Sequence, residues 1–459
     1  MNMNKNYINH LFLTVSMIWI ICGCEENTST IIEEEDDILS GGATTTNLVG
    51  SLAFSQPAPN LSQENLNKHL LGDVLFEAAF VKAPATINPG LGPLFNNSSC
   101  VNCHIADGRG RPPLGGEQLE TMLFRISIPG NDINNGPKPV PGFGRQLQVK
   151  SVLGYEPEGN VTISYETIYG TYPDGTSYSL IRPDYNISGR IGSGFLYSPR
   201  VAPFVFGTGL LEAIKESDII TLADENDDNQ DGVSGRPNFV WNVREETFEI
   251  GRFGWKANTP TLLQQLAAAY VNDMGITSPY FPIENCADGT QCDTTGDDPE
   301  IDQLTLDMVE IYLQTLAVPS RRNYNDADVK RGKILFKQAG CNSCHTTTFT
   351  TGTHKSVPEL SNQKIHPYTD LLLHDMGDEL ADGRPDFMAD GNEWRTPPLW
   401  GIGLVTVVNG HTNFLHDGRA RNLEEAILWH FGEGEKSREK FMNLSKNDRS
   451  ALIKFLNSL

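Results

Sequence analysis

Apolar residues along the chain fall into one continuous run, two helix-like repeats and one strand-like stretch. The continuous run, residues 11–22, lies near the amino terminus. The two repeats have apolar residues at helical spacing, which predicts one buried face on each helix. These positions are Leu304, Met308, Val309, Tyr312, Leu313 and Leu316, and then Leu452, Ile453, Leu456 and Leu459. Residues 123–253 are instead rich in Gly, Pro, Tyr, Thr and β-branched residues, which predicts β-hairpins.

The amino-terminal run predicts an export signal. Its length of about a dozen residues is too short to cross a bilayer comfortably, and a short polar segment precedes it. The run ends in Ile-Cys-Gly-Cys at residues 21–24, which resembles a bacterial lipobox; an ordinary signal peptide is the alternative. We expect residues 1–24 to be a lipoprotein signal peptide that ends at Cys24, the residue that carries lipid. The protein would then be an exported bacterial lipoprotein, on the periplasmic face or the outer-membrane surface.

The remainder of the chain is predicted to form a tether and two domains. Residues 25–50 are acidic and then rich in Gly and Thr, which is typical of a flexible tether. A chain of 459 residues is too long for one ordinary core, so at least two domains are expected. Pro319 and a polar run interrupt the pattern near residues 318–327, which gives domains at 51–322 and 323–459.

The net charge restricts the class of partner. The formal charge of −23 argues against nucleic acid, because phosphates would be repelled. It favours either a soluble surface alone or a basic protein partner, such as an electron donor attracted by the acidic surface.

The same five-residue pattern occurs in both domains, as CVNCH at residues 100–104 and CNSCH at 341–345. Structural zinc needs four ligands, which the four cysteines of both motifs could supply together, but such a site would leave both histidines without a role. A redox Cys-x-x-Cys would leave them without a role as well. In a c-type haem site, by contrast, both thiols bond to the haem and the adjacent histidine binds iron. We therefore predict two covalently attached haem c groups. Their residues are Cys100, Cys103 and His104, and Cys341, Cys344 and His345.

The surroundings of the two motifs are also repeated. A Gly-x-x-Leu-Phe sequence precedes each motif, at residues 72–76 and 332–336. Each half would begin with a helix, attach haem and end with a packing helix. This pattern predicts a mainly α fold of two cytochrome c-like haem domains in tandem. The N-terminal domain would be enlarged by a β-rich insertion at about residues 120–255.

Several segments resemble a family of bacterial enzymes. RTPPLWGIG at residues 395–403 and FLHDGRARNLEEAILWH at 414–430 are similar to the C-terminal half of di-haem cytochrome c peroxidases. The closer resemblance is to the di-haem oxidoreductase branch, sometimes labelled thiol oxidoreductase. The resemblance implies a peroxidase-like enzyme in which electrons from a redox protein or a small molecule pass through the C-terminal haem to a reactive N-terminal haem. The alternative is a non-enzymatic di-haem electron-transfer lipoprotein, for example one accessory to iron acquisition.

The second protein ligand of each iron decides whether the haem binds peroxide or only passes electrons. For the C-terminal haem we expect His430, in the last turn of a helix that Asn422 and Glu425 begin as a capping box. Met376 is the rival ligand, and the alternative role for His430 is to complement the helix dipole. For the N-terminal haem, Met274 either binds iron or packs in the core. Because no distal histidine is evident, this haem is the better candidate for an open, reactive site.

Peroxide cleavage also requires an acid or base that moves a proton. The resemblance places residues 210–217 at the distal side of the N-terminal haem, so Glu212 or Glu216 would supply that group. A surface helix that carries two glutamates is the alternative, and the Gln and Pro of the peroxidases are absent here. Trp255 corresponds to a tryptophan that bridges the haems in related enzymes, or it is a core residue.

A short acidic loop resembles the first half of a calcium-binding loop. Asp227, Asn229 and Asp231 alternate as oxygen ligands before Gly232, but Asn238 stands where the usual glutamate would be. The loop therefore either binds calcium or is merely acidic.

Two further cysteines, Cys286 and Cys292, lie in a polar loop. Export to an oxidising compartment favours a disulfide between them, and two free thiols are the alternative.

Overall fold

A computed structural model of the protein describes residues 35–285, 292 and 295–459. The predicted signal peptide with Cys24, the tether up to residue 34, and Cys286 lie outside the described residues. Residues 35–459 form one compact unit, and the division near residue 323 stays a prediction. Within the described part of the chain, no helix is both long and apolar enough to cross a membrane.

Helices and strands are both distributed along the described chain. The helices are α1 Gln63–Glu77, α2 Cys100–Cys103, α3 Thr208–Glu212, α4 Glu216–Leu222, α5 Leu262–Asp273, α6 Gln303–Thr315, α7 Ala327–Ala339, α8 Val405–Asn409, α9 Leu423–Leu428, α10 Glu435–Met442 and α11 Lys446–Ser458. The strands are β1 Thr45–Thr46, β2 Leu94–Phe95, β3 Met122–Asn131, β4 Pro137–Lys138, β5 Lys150–Ser151, β6 Gly159–Thr171, β7 Ser177–Gly189, β8 Leu196–Val201, β9 Phe239–Asn242, β10 Thr247–Ile250, β11 Val318–Pro319, β12 Phe349–Thr350, β13 Lys364–Ile365, β14 Leu373–Asp375 and β15 Glu393–Arg395.

The prediction of a mainly α fold of tandem cytochrome c domains is wrong. Helices account for only 29% and strands for 20%, and the strands form many small sheets of two or three members. The chain contains 43 glycines and 27 prolines, and such residues disfavour continuous helix in the long connections. The prediction extended the few helical segments across connections that instead form short strands and irregular loops.

Each haem motif nevertheless lies beside a similar pair of crossing helices. Helix α1 packs on α6, and α7 packs on α11. At each crossing a glycine allows backbones to touch, since a Cβ on Gly72 or Gly332 would lie 2.1 Å or 2.0 Å from a carbonyl oxygen of the facing helix. The repeated glycines are therefore positions of close helix contact.

The repeated phenylalanines lie next to the motif histidines. The ring centroids of Phe76 and His104 are 6.3 Å apart, and those of Phe336 and His345 are 6.2 Å apart. The two halves thus place the same residue types around both motifs, although the intervening chain differs.

The longest strands form a hairpin that reaches the C-terminal part of the chain. β6 and β7 pair antiparallel over their full length. The hydroxyl of Tyr172 donates to Glu424 at 2.6 Å, and Arg449 forms an ion pair of 2.7 Å with Asp174 at the hairpin turn. The hairpin therefore ties chain that follows the first motif to helices that follow the second.

Candidate functional site

Both Cys-x-x-Cys-His motifs line one continuous cavity. Its empty space, including the open mouths, is about 3200 Å³. All six predicted attachment and iron-binding residues are among its lining residues, together with Trp255, Met274, Met376 and His430. The structure thus brings residues from both halves of the sequence to one site.

The motif histidines are held in the tautomer that iron binding requires. The Nδ1 atom of His104 lies 2.8 Å from the carbonyl oxygen of Pro203, and that of His345 lies 2.9 Å from the carbonyl of Tyr368. A carbonyl only accepts a hydrogen bond, so Nδ1 must carry the proton in each ring. The other ring nitrogen, Nε2, is then the free lone pair, as in metal-bound histidines.

Burial also favours the neutral form of these rings. It lowers the pKa of His345 to about 4 and lowers the pKa of His104 below its ordinary value. Neutral imidazole is the form that binds metal, so each ring can bind a metal ion through Nε2.

His430 has the same arrangement as the motif histidines. Its Nδ1 donates to the carbonyl of Ala426 at 2.7 Å, and burial lowers its pKa. Its charge also lowers the pKa of His345, which indicates that the two rings are close. Asn422 caps α9 by accepting from the N–H of Glu425 at 2.9 Å, as the capping box predicts. The helix ends at Leu428, so His430 lies just beyond it rather than in its last turn.

The rival ligand Met376 occupies the same neighbourhood. A Cβ built on Gly434 would lie 2.9 Å from Cβ of His430 and 3.3 Å from Cε of Met376. The structure therefore brings both candidates together, and the choice between them stays a prediction.

The four motif cysteines are free thiols in the structure. Burial raises the pKa of Cys100, Cys103 and Cys341 to about 12. A redox Cys-x-x-Cys needs a lowered thiol pKa, so this environment argues against thiol exchange. In the described part of the chain, the four thiols do not form one group that could hold a metal ion.

Arginine is concentrated around the cavity of this strongly acidic chain. Six arginines line it, against three carboxylic acids. The arginines are Arg109, Arg125, Arg200, Arg252, Arg395 and Arg438, and the acids are Glu120, Asp273 and Glu433. An excess of buried cations is costly unless anions compensate it. Two haems carry four propionate carboxylates, so the lining has the charge that would fit them.

Trp255 lies in the cavity wall next to one of these arginines. Its indole N–H donates to the carbonyl of Val201 at 2.9 Å, which fixes the ring. The guanidinium of Arg109 lies 5.6 Å from the ring centroid and donates to the carbonyl of Leu415 at 2.7 Å. Nε of Arg109 is buried without a hydrogen-bond partner among the described residues. The relay role of Trp255 stays a prediction.

A buried histidine beside the second motif was not expected from the sequence. His374 lies between two carboxylates, with Nε2 2.8 Å from Asp370 and Nδ1 2.7 Å from Glu433. Its Nδ1 is 3.6 Å from Sγ of Cys344. These surroundings raise its pKa well above the ordinary value despite burial. The histidine lies in the segment LLLHDMG, but only folding brings Glu433 to it.

The predicted acid–base residues lie away from the cavity lining. Both carboxylate oxygens of Glu212 already accept hydrogen bonds, from the N–H of Leu262 and the amide of Gln314, each at 2.8 Å. Glu216 is exposed at the start of α4. Neither is among the cavity-lining residues, and a catalytic role for them stays a prediction.

Met274 ends helix α5 at the cavity. It is buried, with 2% of its surface exposed, and the preceding Asp273 also lines the cavity. Burial raises the pKa of Asp273, and the amide of Gln146 donates to its carboxylate at 2.6 Å. The helix begins at the cap residue Thr261, whose hydroxyl accepts from the N–H of Gln264.

The acidic loop uses its side chains to hold its own backbone. The carboxylate of Asp227 accepts from the N–H of Gly232 at 3.1 Å, and Asn229 Oδ1 accepts from the N–H of Asp231 at 2.8 Å. Calcium binding there stays a prediction. Cys292 is disulfide-bonded, while Cys286 lies outside the described residues.

Comparison with known proteins agrees with this geometry. Residues 35–459 match a family model described as "Di-haem oxidoreductase, putative peroxidase". No curated protein and no solved structure matches the chain.

Proposed function

Because the chain belongs to the di-haem oxidoreductase family, we propose that it holds two covalently attached haem c groups and acts as a peroxidase-like enzyme. One observation carries the proposal: both Cys-x-x-Cys-His motifs line one cavity, and both histidines have Nε2 free for iron. The thiols of Cys100, Cys103, Cys341 and Cys344 would attach the haems.

When bound, the haems would carry electrons from a donor through the C-terminal centre to the N-terminal centre, where peroxide, two electrons and two protons would give water. The chain supports unequal centres. His345 and His430 are close enough to influence each other, so both would hold the C-terminal iron. No distal histidine is evident for the N-terminal iron, so the N-terminal centre would be the reactive one.

Trp255 supports transfer between the centres because it is fixed in the wall of the shared cavity. The proton for peroxide cleavage would come from Glu212 or Glu216. For Glu212 this requires its carboxylate to release the N–H of Leu262 or the amide of Gln314. Glu212→Gln should then lower peroxide turnover more than Glu216→Gln, because only Glu212 is close to the buried core.

One observation favours a second function. Met274 is buried in the cavity wall, where it would be the second protein ligand of the N-terminal iron if it binds there. With two protein ligands on each iron, the protein would be a non-enzymatic electron-transfer lipoprotein, for example one accessory to iron acquisition.

Export and partners belong to the same proposal. A signal peptide at residues 1–24 and lipid on Cys24 would place the protein at the periplasmic face or the outer-membrane surface. The electron donor would be a redox protein or a small molecule. Calcium in the loop of Asp227, Asn229 and Asp231 would be a further cofactor, and a lower melting temperature after chelation would support it.

Peroxide turnover by the haem-loaded, fully reduced protein separates the two functions. The enzyme proposal expects stoichiometric reoxidation of both haems by hydrogen peroxide, at a rate that Met274→Ala leaves unchanged. If peroxide leaves the parent reduced and Met274→Ala makes it reactive, the electron-carrier function is correct instead.

A further inference from the structure

A cluster of buried arginines lies where β3 and β8 meet the loop that precedes β15. Arg200 and Arg384 donate to the same carboxylate oxygen of Asp386, at 3.0 Å and 3.2 Å. Both arginines are nearly inaccessible, with 6% and 1% of their surface exposed. Arg125, on β3, donates to the neutral side-chain oxygen of Gln146 at 2.9 Å. Burial, and then the charges of Arg200 and Arg384, lower the pKa of Arg125 to about 10, so it stays protonated at neutral pH.

Carboxylates in the described part of the chain compensate only part of the charge of this cluster. The neighbouring Lys256 forms an ion pair of 2.9 Å with Asp382, so the charge of this carboxylate is offset by the lysine. Three guanidinium groups then face two carboxylates, Asp386 and Asp273, which leaves a surplus of one positive charge. Buried cations without anions are strongly destabilising, so an anion is expected here.

The cavity is the direction from which that anion would come. Arg125 and Arg200 both line it, together with the residues of the two haem motifs. Nε of Arg384 is buried and has no hydrogen-bond partner among the described residues. Guanidinium groups match carboxylates because their N–H groups can bond both oxygens at once.

We propose that Arg125 and Arg200, which line the cavity, form a carboxylate-binding site for haem propionates, with Arg384 supporting Arg200 through their shared partner Asp386; the inference rests on the proposed di-haem function. The site would make these arginines cofactor-binding residues and not merely core residues. It would also hold a haem in place by the end that carries no thioether bonds.

Reduction potentials test the site with opposite signs. A positive charge near iron favours the reduced form, so Arg125→Gln should lower the potential of one haem. Asp386→Asn removes the counter-charge and should raise the potential of the same haem. Arg125→Lys keeps the charge and should stay near the parent. Arg145→Gln is the matched control, because Arg145 pairs with Asp132 at 2.6 Å and does not line the cavity.

The proposal would be overturned if Arg125→Gln and Asp386→Asn shift the reduction potential in the same direction, or if their shifts are no larger than that of Arg145→Gln. If Arg125→Gln does not fold, the sign for Asp386→Asn decides alone. Potentials are followed by optical and spin-resonance spectra, which distinguish a high-spin from a low-spin haem and so identify whose propionates are held. A parent potential that shifts with added acetate at constant ionic strength would assign the site to a diffusible carboxylate and overturn the proposal. Absence of covalent haem would instead refute the proposed function.

Discussion

Gly332→Ala tests the close helix crossing behind the second haem motif. A Cβ at this position would lie 2.0 Å from the carbonyl oxygen of Ala451 and 2.7 Å from Cβ of Phe455, whereas ordinary contact begins at 3.4 Å. Helices α7 and α11 would have to separate, and such overpacking costs about 1–3 kcal/mol. Alanine in place of glycine within a helix returns about 1 kcal/mol. A contact as short as 2.0 Å falls in the upper part of that range, about 2–3 kcal/mol, so the net expectation is a loss of about 1–2 kcal/mol of unfolding free energy.

The assay is guanidinium unfolding of the haem-loaded protein, followed by far-ultraviolet circular dichroism and by haem absorbance. Gly72→Ala should behave alike in the first half, because its Cβ would lie 2.1 Å from the carbonyl oxygen of Met308. Gly50→Ala is the control, since nothing lies within 4 Å of its Cβ. If Gly332→Ala is as stable as the parent or more stable, the helices do not cross at this glycine and the reasoning is refuted.

Three further predictions address ligation, electron transfer and pH. His430→Ala should convert the C-terminal haem from low to high spin in absorption spectra while Met376→Ala should not; the reverse result would make Met376 the ligand. Trp255→Phe should slow reduction of the N-terminal haem in stopped-flow experiments without changing haem content, and an unchanged rate would leave Trp255 a core residue. Burial lowers the pKa of His69 to about 4, so the unfolded chain binds its proton first and stability falls as pH drops from about 6.5 towards 4. His69→Gln should reduce that fall by at most about 3 kcal/mol in unfolding titrations, and an unchanged slope would contradict it.

The local features that short segments determine were accessible from sequence. The cap of Asn422 on the N–H of Glu425 depends on residues three positions apart, and the structure has it. The repeated glycines Gly72 and Gly332 mark equivalent helix crossings, because each half repeats the same short pattern. The fold class was wrong, since the long connections contain no strong periodicity and their strands pair in sheets of only two or three.

The cavity lining depends on residues that are distant in sequence. Arg125 and Arg200 come from separate strands, and their shared environment with Asp386 exists only after folding. An arginine within an apolar strand, as in MLFRISI, is the one sequence signal for such a site. Glu212 is a further example of a long-range contact. Its carboxylate accepts from the N–H of Leu262 at the start of α5, and no local pattern indicates this contact.

The central claim is that two covalent haems share one cavity and differ in coordination. Electron paramagnetic resonance of the oxidised protein, calibrated by pyridine haemochrome analysis, tests it most directly. The account predicts two haem c groups per chain, one low-spin signal from a bis-histidine centre and one high-spin signal of equal amount. Fewer than two covalent haems, or two low-spin haems, would contradict it.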